Sequence, residues 1–168
     1  MIPISLGLAA LATVALGPSP ALLAALAIAA VAPPLVRTDV AEHRLPNRLV
    51  IPALLAGVVG VGVGWLATGS APLLPLLAAC GFAGFLLLLA MVGAMGMGDV
   101  KLAAALGLAA PTVSVAILSP VLAFLVGGLA SVFALIRHGR GGRIAFGPFL
   151  LAGYFGALAI TAGSRLFA

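Results

Sequence analysis

A chain of 168 residues that is 64% hydrophobic and 7% charged cannot cover itself with polar surface, so a soluble globule is excluded and a polytopic membrane protein is expected. The formal net charge of +5 does not point to nucleic acid, because the basic residues are divided among short loops between apolar runs. The single cysteine, Cys80, lies inside an apolar run, which leaves neither a disulfide framework nor a zinc pair and reads as a small buried hydrophobe.

No basic residue precedes the first apolar stretch, and the first charge is Arg37. The N-terminal segment therefore reads as a retained membrane helix and not as a cleaved signal. The apolar run from Ile2 to Val36 exceeds the ~20 residues of one crossing. Gly17-Pro18-Ser19-Pro20 divides it into spans over about 2–17 and 20–36.

The most polar stretch follows, from Arg37 to Arg48, and carries Asp39, Glu42 and His43. Pro46-Asn47 closes it and opens the next helix, with Asn47 near the cap. A third span covers about 49–67, where Gly60 and Gly64 form a small-xxx-small pair suited to close helix contact. An uncharged link, 68–72, leads to a fourth span over about 73–92 and then to Gly93, Gly96, Gly98 and Asp99. Between Lys101 and Ile136, Pro111 and Ser119-Pro120 both offer a break, and two spans are expected, roughly 99–117 and 120–136. A basic loop, 137–143, precedes a last span over about 144–163. The expected architecture is all-α: one integral-membrane helix bundle over 1–168, with six to seven transmembrane helices, seven fitting the charges best.

With seven spans, the segments 37–48, 93–101 and 137–143 share one side and hold seven of the eight basic residues. The opposite links hold none. Lys and Arg in short loops mark the cytoplasmic face. Asp39 and Asp99, 60 positions apart, are thus both expected at the cytoplasmic edge of the bilayer.

An ionised carboxylate beside hydrocarbon is costly, so the two aspartates of so apolar a chain call for a reason. Two carboxyl groups at one site can share a proton, which makes one a base and the other an acid. Such a pair can activate water against an amide carbonyl and protonate the leaving nitrogen, without metal, cofactor or nucleophilic side chain. Gly93, Gly96 and Gly98 remove side chains where a neighbouring helix or an extended substrate can approach the backbone. Lys101, two positions after Asp99, points elsewhere on a helix and reads equally as a snorkelling residue or as an influence on the site. Glu42 can share the helical face of Asp39, though pairing with a loop arginine is the simpler reading. His43 and His138 read as solvated or lipid-facing. Gly96-Met97-Gly98 lacks the third glycine of a dinucleotide fingerprint and the Gly-Lys-Ser/Thr of a P-loop.

Two motifs give the chain a resemblance to the type IV prepilin peptidases, bi-aspartyl membrane proteases. One is Asp39 followed after six residues by Pro46-Asn47. The other is Gly96-x-Gly98-Asp99-x-Lys101. The run Phe146-Gly147-Pro148-Phe149-Leu150 is similar to one that opens the last helix of that family. The resemblance implies Asp39 and Asp99 as the catalytic pair of an aspartic endopeptidase. It puts Gly96, Gly98, Lys101, Pro46 and Asn47 in substrate-binding or supporting roles, with no metal and no cofactor. It also implies a prepilin or pilin-like precursor as partner, cut after a basic leader ending in glycine. The implied location is the inner membrane of a prokaryote, multi-pass, with the site at the cytoplasmic face. Longer members carry an N-terminal cytoplasmic region, usually with paired cysteines, associated with methylation. This chain resembles the short, peptidase-only members, including those serving tight-adherence pili, so cleavage is expected and methylation is not.

The rival from another class is a small ion- or proton-coupled transporter with Asp39 and Asp99 as ion sites. It predicts acids near the midplane and an internal repeat, and no repeat is visible. A relative acting on archaeal preflagellins or other membrane peptides, and a non-catalytic assembly factor with the same fold, complete the alternatives.

Overall fold

The computed structural model describes residues 2–138 and 145–166. Among these it forms α1 (Ile2–Leu16), α2 (Pro20–Glu42), α3 (Asn47–Thr68), α4 (Leu73–Met91), α5 (Met97–Leu108), α6 (Val113–His138) and α7 (Gly147–Leu166), and no strand. Helices α2, α3, α4, α6 and α7 are long and apolar enough to cross a membrane. The all-helical, multi-pass architecture expected from hydropathy is the one observed.

Two expected spans are shorter than anticipated: α1 has 15 residues and α5 has 12. A 12-residue helix is ~18 Å long, against a hydrocarbon core of ~30 Å. Helix α5 is sheathed by protein instead, packing against α2, α3, α4 and α7. Seven of its residues, from Val100 to Leu108, are buried, as befits a helix apolar on every side beyond Lys101.

The break that sequence left open falls at Pro111. Pro111 lacks the N–H that would extend α5, and it disfavours helical backbone at Ala110. Thr112 then restarts the chain, its Oγ1 accepting the Val115 N–H at 3.3 Å as an N-cap. Ser119-Pro120, the other candidate, lies inside α6, with Ser119 buried. The span expected to end near 117 therefore ends at Leu108, and the next begins at Val113 rather than 120.

Small residues bring the helices together, as packing in lipid demands. A β-carbon on Gly60 would stand 2.6 Å from the Pro20 carbonyl oxygen, and one on Gly64 would stand 3.1 Å from the Pro20 ring. Thus α2 begins against the last turns of α3. One on Gly57 would stand 2.9 Å from Leu108 Cβ, and Gly107 faces the backbone of Ala79. At the end of α5, buried Tyr154 of α7 donates its hydroxyl to the Ala109 carbonyl at 3.0 Å. These contacts set the far end of the bundle. The opposite end gathers the C-terminus of α2 and the N-termini of α3, α5 and α7.

Candidate active site

Helix α2 does not stop at Val36. It carries on through the polar stretch to Glu42, so Asp39 sits in a helical last turn and not in a loop. Pro33 and Pro34 remove two backbone donors within this helix, and Thr38 Oγ1 donates to the carbonyls of Pro34 at 2.9 Å and Leu35 at 3.1 Å. His43 ends α2 in the left-handed region, φ 51°, with its N–H donating to the Asp39 carbonyl at 2.8 Å. Asp39 is 4% exposed.

The first N–H groups of a helix have no partner within it. Gly147 is the first residue of α7, and its N–H donates to Asp39 Oδ2 at 2.8 Å. The carboxylate of one helix thereby caps another, at the end where the macrodipole favours negative charge. Gly147 has no room for a side chain: a β-carbon there would lie 2.7 Å from Asp39 Oδ2.

Asp99 stands third in α5, again at a helix N-terminus. Its Oδ2 accepts the N–H of Gly96, the N-cap residue, at 3.2 Å. This is half of a capping box, and glycine has no side chain to supply the other half. Asp99 Oδ1 is buried with no hydrogen-bond partner among the described residues. The two acids are close enough for the charge of Asp39 to act on Asp99. Two carboxyl groups 60 positions apart in sequence thus lie at the same end of the bundle.

The remaining residues singled out by motif gather at the same end. Pro46 is the N-cap of α3 and Asn47 its first helical residue. Asn47 stands beside the cap as expected, makes no side-chain cap bond, and its Oδ1 accepts from Lys101 Nζ at 2.9 Å. Lys101 is neither a free snorkelling residue nor directed at Asp99. It fastens the head of α5 to the head of α3. Gly98 receives Leu45 so closely that a β-carbon there would lie 2.7 Å from Leu45 Cβ. Glu42 is exposed at the last position of α2. Among the described residues no three His, Cys, Asp or Glu side chains converge as metal ligands.

Both aspartates fall within residues 21–136, the part of the chain that matches the model of the type IV leader peptidase family. The match covers more than half of the sequence. The chain belongs to the type IV leader peptidase family. No curated protein and no solved structure gives a significant match. Membership of a peptidase family supports a protease. The helix that caps Asp39, α7, lies outside the matched segment.

The structure adds to the reading of sequence at two positions. Leu45 is an ordinary apolar residue in a polar stretch and carries no signal. Gly147 did carry one, a glycine followed by proline at a helix start, but nothing in it announced that its N–H would reach Asp39.

Proposed function

We propose that this protein is a membrane-embedded aspartic endopeptidase that removes the basic leader from a prepilin or pilin-like precursor at the cytoplasmic face. Asp39 and Asp99 are the catalytic pair. The observation that carries this reading is that both acids lie at one end of the bundle, Asp39 buried and Asp99 half-buried, within a chain of leader-peptidase kinship.

The chemistry follows from sharing one proton between two neighbouring carboxyl groups. The ionised partner takes a proton from water, and the oxygen attacks the scissile carbonyl carbon. The protonated partner gives its proton to the carbonyl oxygen. Collapse of the tetrahedral diol breaks the C–N bond: one diol hydroxyl returns its proton to the carboxylate that gave one, and the leaving nitrogen takes a proton from the carboxyl that received one. The buried, unpartnered Asp99 Oδ1 supports this reading as the oxygen able to hold the water. Lys101, Asn47, Pro46, Gly96 and Gly98 support the pair by fixing the heads of α3 and α5.

The cytoplasmic placement rests on the positive residues at this end, among them Arg44, Arg48 and Lys101. The expected basic loop 137–143 lies outside the described residues apart from its start at 137–138. An ion carrier calls for acids near mid-membrane, whereas Asp39 and Asp99 occupy terminal turns.

The test is leader removal from a pilin-like precursor by the purified protein in lipid vesicles. Wild type should cleave, and Asp39→Ala and Asp99→Ala should each abolish cleavage. Full cleavage by Asp39→Ala excludes the assignment.

A further inference from the structure

Asp39 and Asp99 are both acids at helix ends, but the groups that meet their oxygens differ. We infer that their roles are fixed and unequal: Asp39 is the carboxylate that takes the proton from water, and Asp99 is the acid that gives its proton to the scissile carbonyl oxygen. This rests on the endopeptidase reading given above and deepens it.

Hydrogen bonds to the charged form of an acid favour that form, and burial away from donors disfavours it. Asp39 Oδ2 accepts the Gly147 N–H at 2.8 Å, a bond as short as those to ionised acceptors. The donor opens a 20-residue helix, where the macrodipole also favours negative charge. It has no partner within its own helix and, being backbone, cannot turn away. Asp99 Oδ2 accepts the Gly96 N–H at 3.2 Å, at the head of a helix of 12 residues. Its other oxygen, Oδ1, is buried with no partner among the described residues, and Asp39 has no oxygen in that condition. A buried carboxylate oxygen without a donor is costly. A proton on Oδ1 removes the charge and turns the atom into a donor.

Burial alone favours the opposite order, since Asp39 is 4% exposed and Asp99 is half-buried. The fixed donor at the charged atom reverses it. Few other charges bear on the pair. The helices packed on α2 and α5, besides each other, are α1, α3, α4 and α7. Helices α1 and α4 bring no charged side chain, α3 brings Arg48, and α7 brings Arg165 at its opposite end. Glu42, His43, Arg44 and Arg48 are exposed, where water and salt screen them. Of these, His43 when charged adds to the hold on the Asp39 carboxylate. Lys101 gives its Nζ to Asn47.

The protons balance. Water gives one to Asp39 as its oxygen bonds to the carbonyl carbon, and Asp99 gives one to the carbonyl oxygen, which leaves Asp39 neutral and Asp99 ionised. As the C–N bond breaks, a diol hydroxyl returns a proton to Asp99 and Asp39 passes its own to the leaving nitrogen. The starting charges are restored.

The test follows both carboxyl groups by NMR in the full chain in lipid vesicles. The chain has two aspartates, so protein made with aspartate isotope-labelled at the side-chain carboxyl gives two signals. Asp39→Glu leaves the label on Asp99 with a second carboxyl still present, and Asp99→Glu leaves it on Asp39, so each site is read and not only the pair. As the pH is lowered, Asp99 should take up its proton at least about one pH unit before Asp39. If a Glu variant fails to fold, the Asn variant at that position assigns the wild-type signal by its loss, and the order is read in wild type. The reverse order, or a shared midpoint, overturns the inference while wild-type cleavage of a pilin-like precursor in the same vesicles still stands. A wild type that orders its acids as inferred but cleaves no precursor overturns the endopeptidase reading, and these roles with it.

Discussion

The Gly147 N–H and the Asp39 carboxylate are joined by a 2.8 Å hydrogen bond across 108 positions of sequence. The bond makes the start of α7 part of the site, because the same peptide group both opens that helix and orients the acid. Gly147→Ala brings a β-carbon to 2.7 Å from Asp39 Oδ2 and 3.1 Å from Leu45 Cδ2. Relief requires the carboxylate or the helix to move, at a cost of about 1–3 kcal/mol. Precursor cleavage should fall at least about tenfold, since misplacing a reacting group is severe. Leader removal and thermal unfolding in detergent check this, and unchanged cleavage would remove α7 from the site.

Gly98→Ala meets Leu45 in the same manner, at 2.7 Å from its Cβ. Adding Leu45→Ala makes the space that the new methyl needs. The double variant should therefore be more active than Gly98→Ala alone, with a favourable coupling of about 1 kcal/mol or more. Additive losses in a double-mutant cycle would show that Gly98 acts through some other contact.

The Lys101–Asn47 hydrogen bond, at 2.9 Å, is the tie between α5 and α3 beside the acids. Lys101→Met and Asn47→Ala should each slow cleavage, and the two together should cost little more than one. A coupling of about 1–2 kcal/mol is expected for a bond to a charged group. Independent effects in the cycle would contradict a shared role.

Tyr154 supplies a control at the far end. Tyr154→Phe removes the hydroxyl bonded to the Ala109 carbonyl at 3.0 Å and leaves the ring in place. Stability should drop by about 1–2 kcal/mol, read as a lower midpoint of thermal unfolding. Cleavage below that midpoint should match wild type. Selective loss of cleavage with unchanged stability would show that the far end communicates with the acids.

Sidedness is open to direct labelling. In a Cys80→Ala background, Arg44→Cys and Ser70→Cys occupy links at opposite ends of α3. A membrane-impermeant thiol reagent applied to intact cells should modify the cysteine at 70 and spare the one at 44. The reverse pattern would put the acids on the outer face.

Hydropathy and charge determined the class of this protein. A chain with so few charges has no soluble option, and its basic residues cluster in alternate links because lipid and membrane potential sort them. The two glycine-flanked or proline-followed aspartates were legible for the same reason: an acid in an apolar chain stands out. Tertiary structure decided what local pattern cannot encode. Pro111 breaks the chain and Pro120 does not because Thr112 offers a hydroxyl cap, whereas Ser119 is buried within α6. Asp39 lies on a helix because the bundle carries α2 past its apolar run. Asn47 answers Lys101, Gly147 answers Asp39, and Leu45 lies between Gly98 and Gly147 only once three helix heads converge. Contacts between residues far apart in the chain depend on how helices pack, and packing depends on shape at every interface at once.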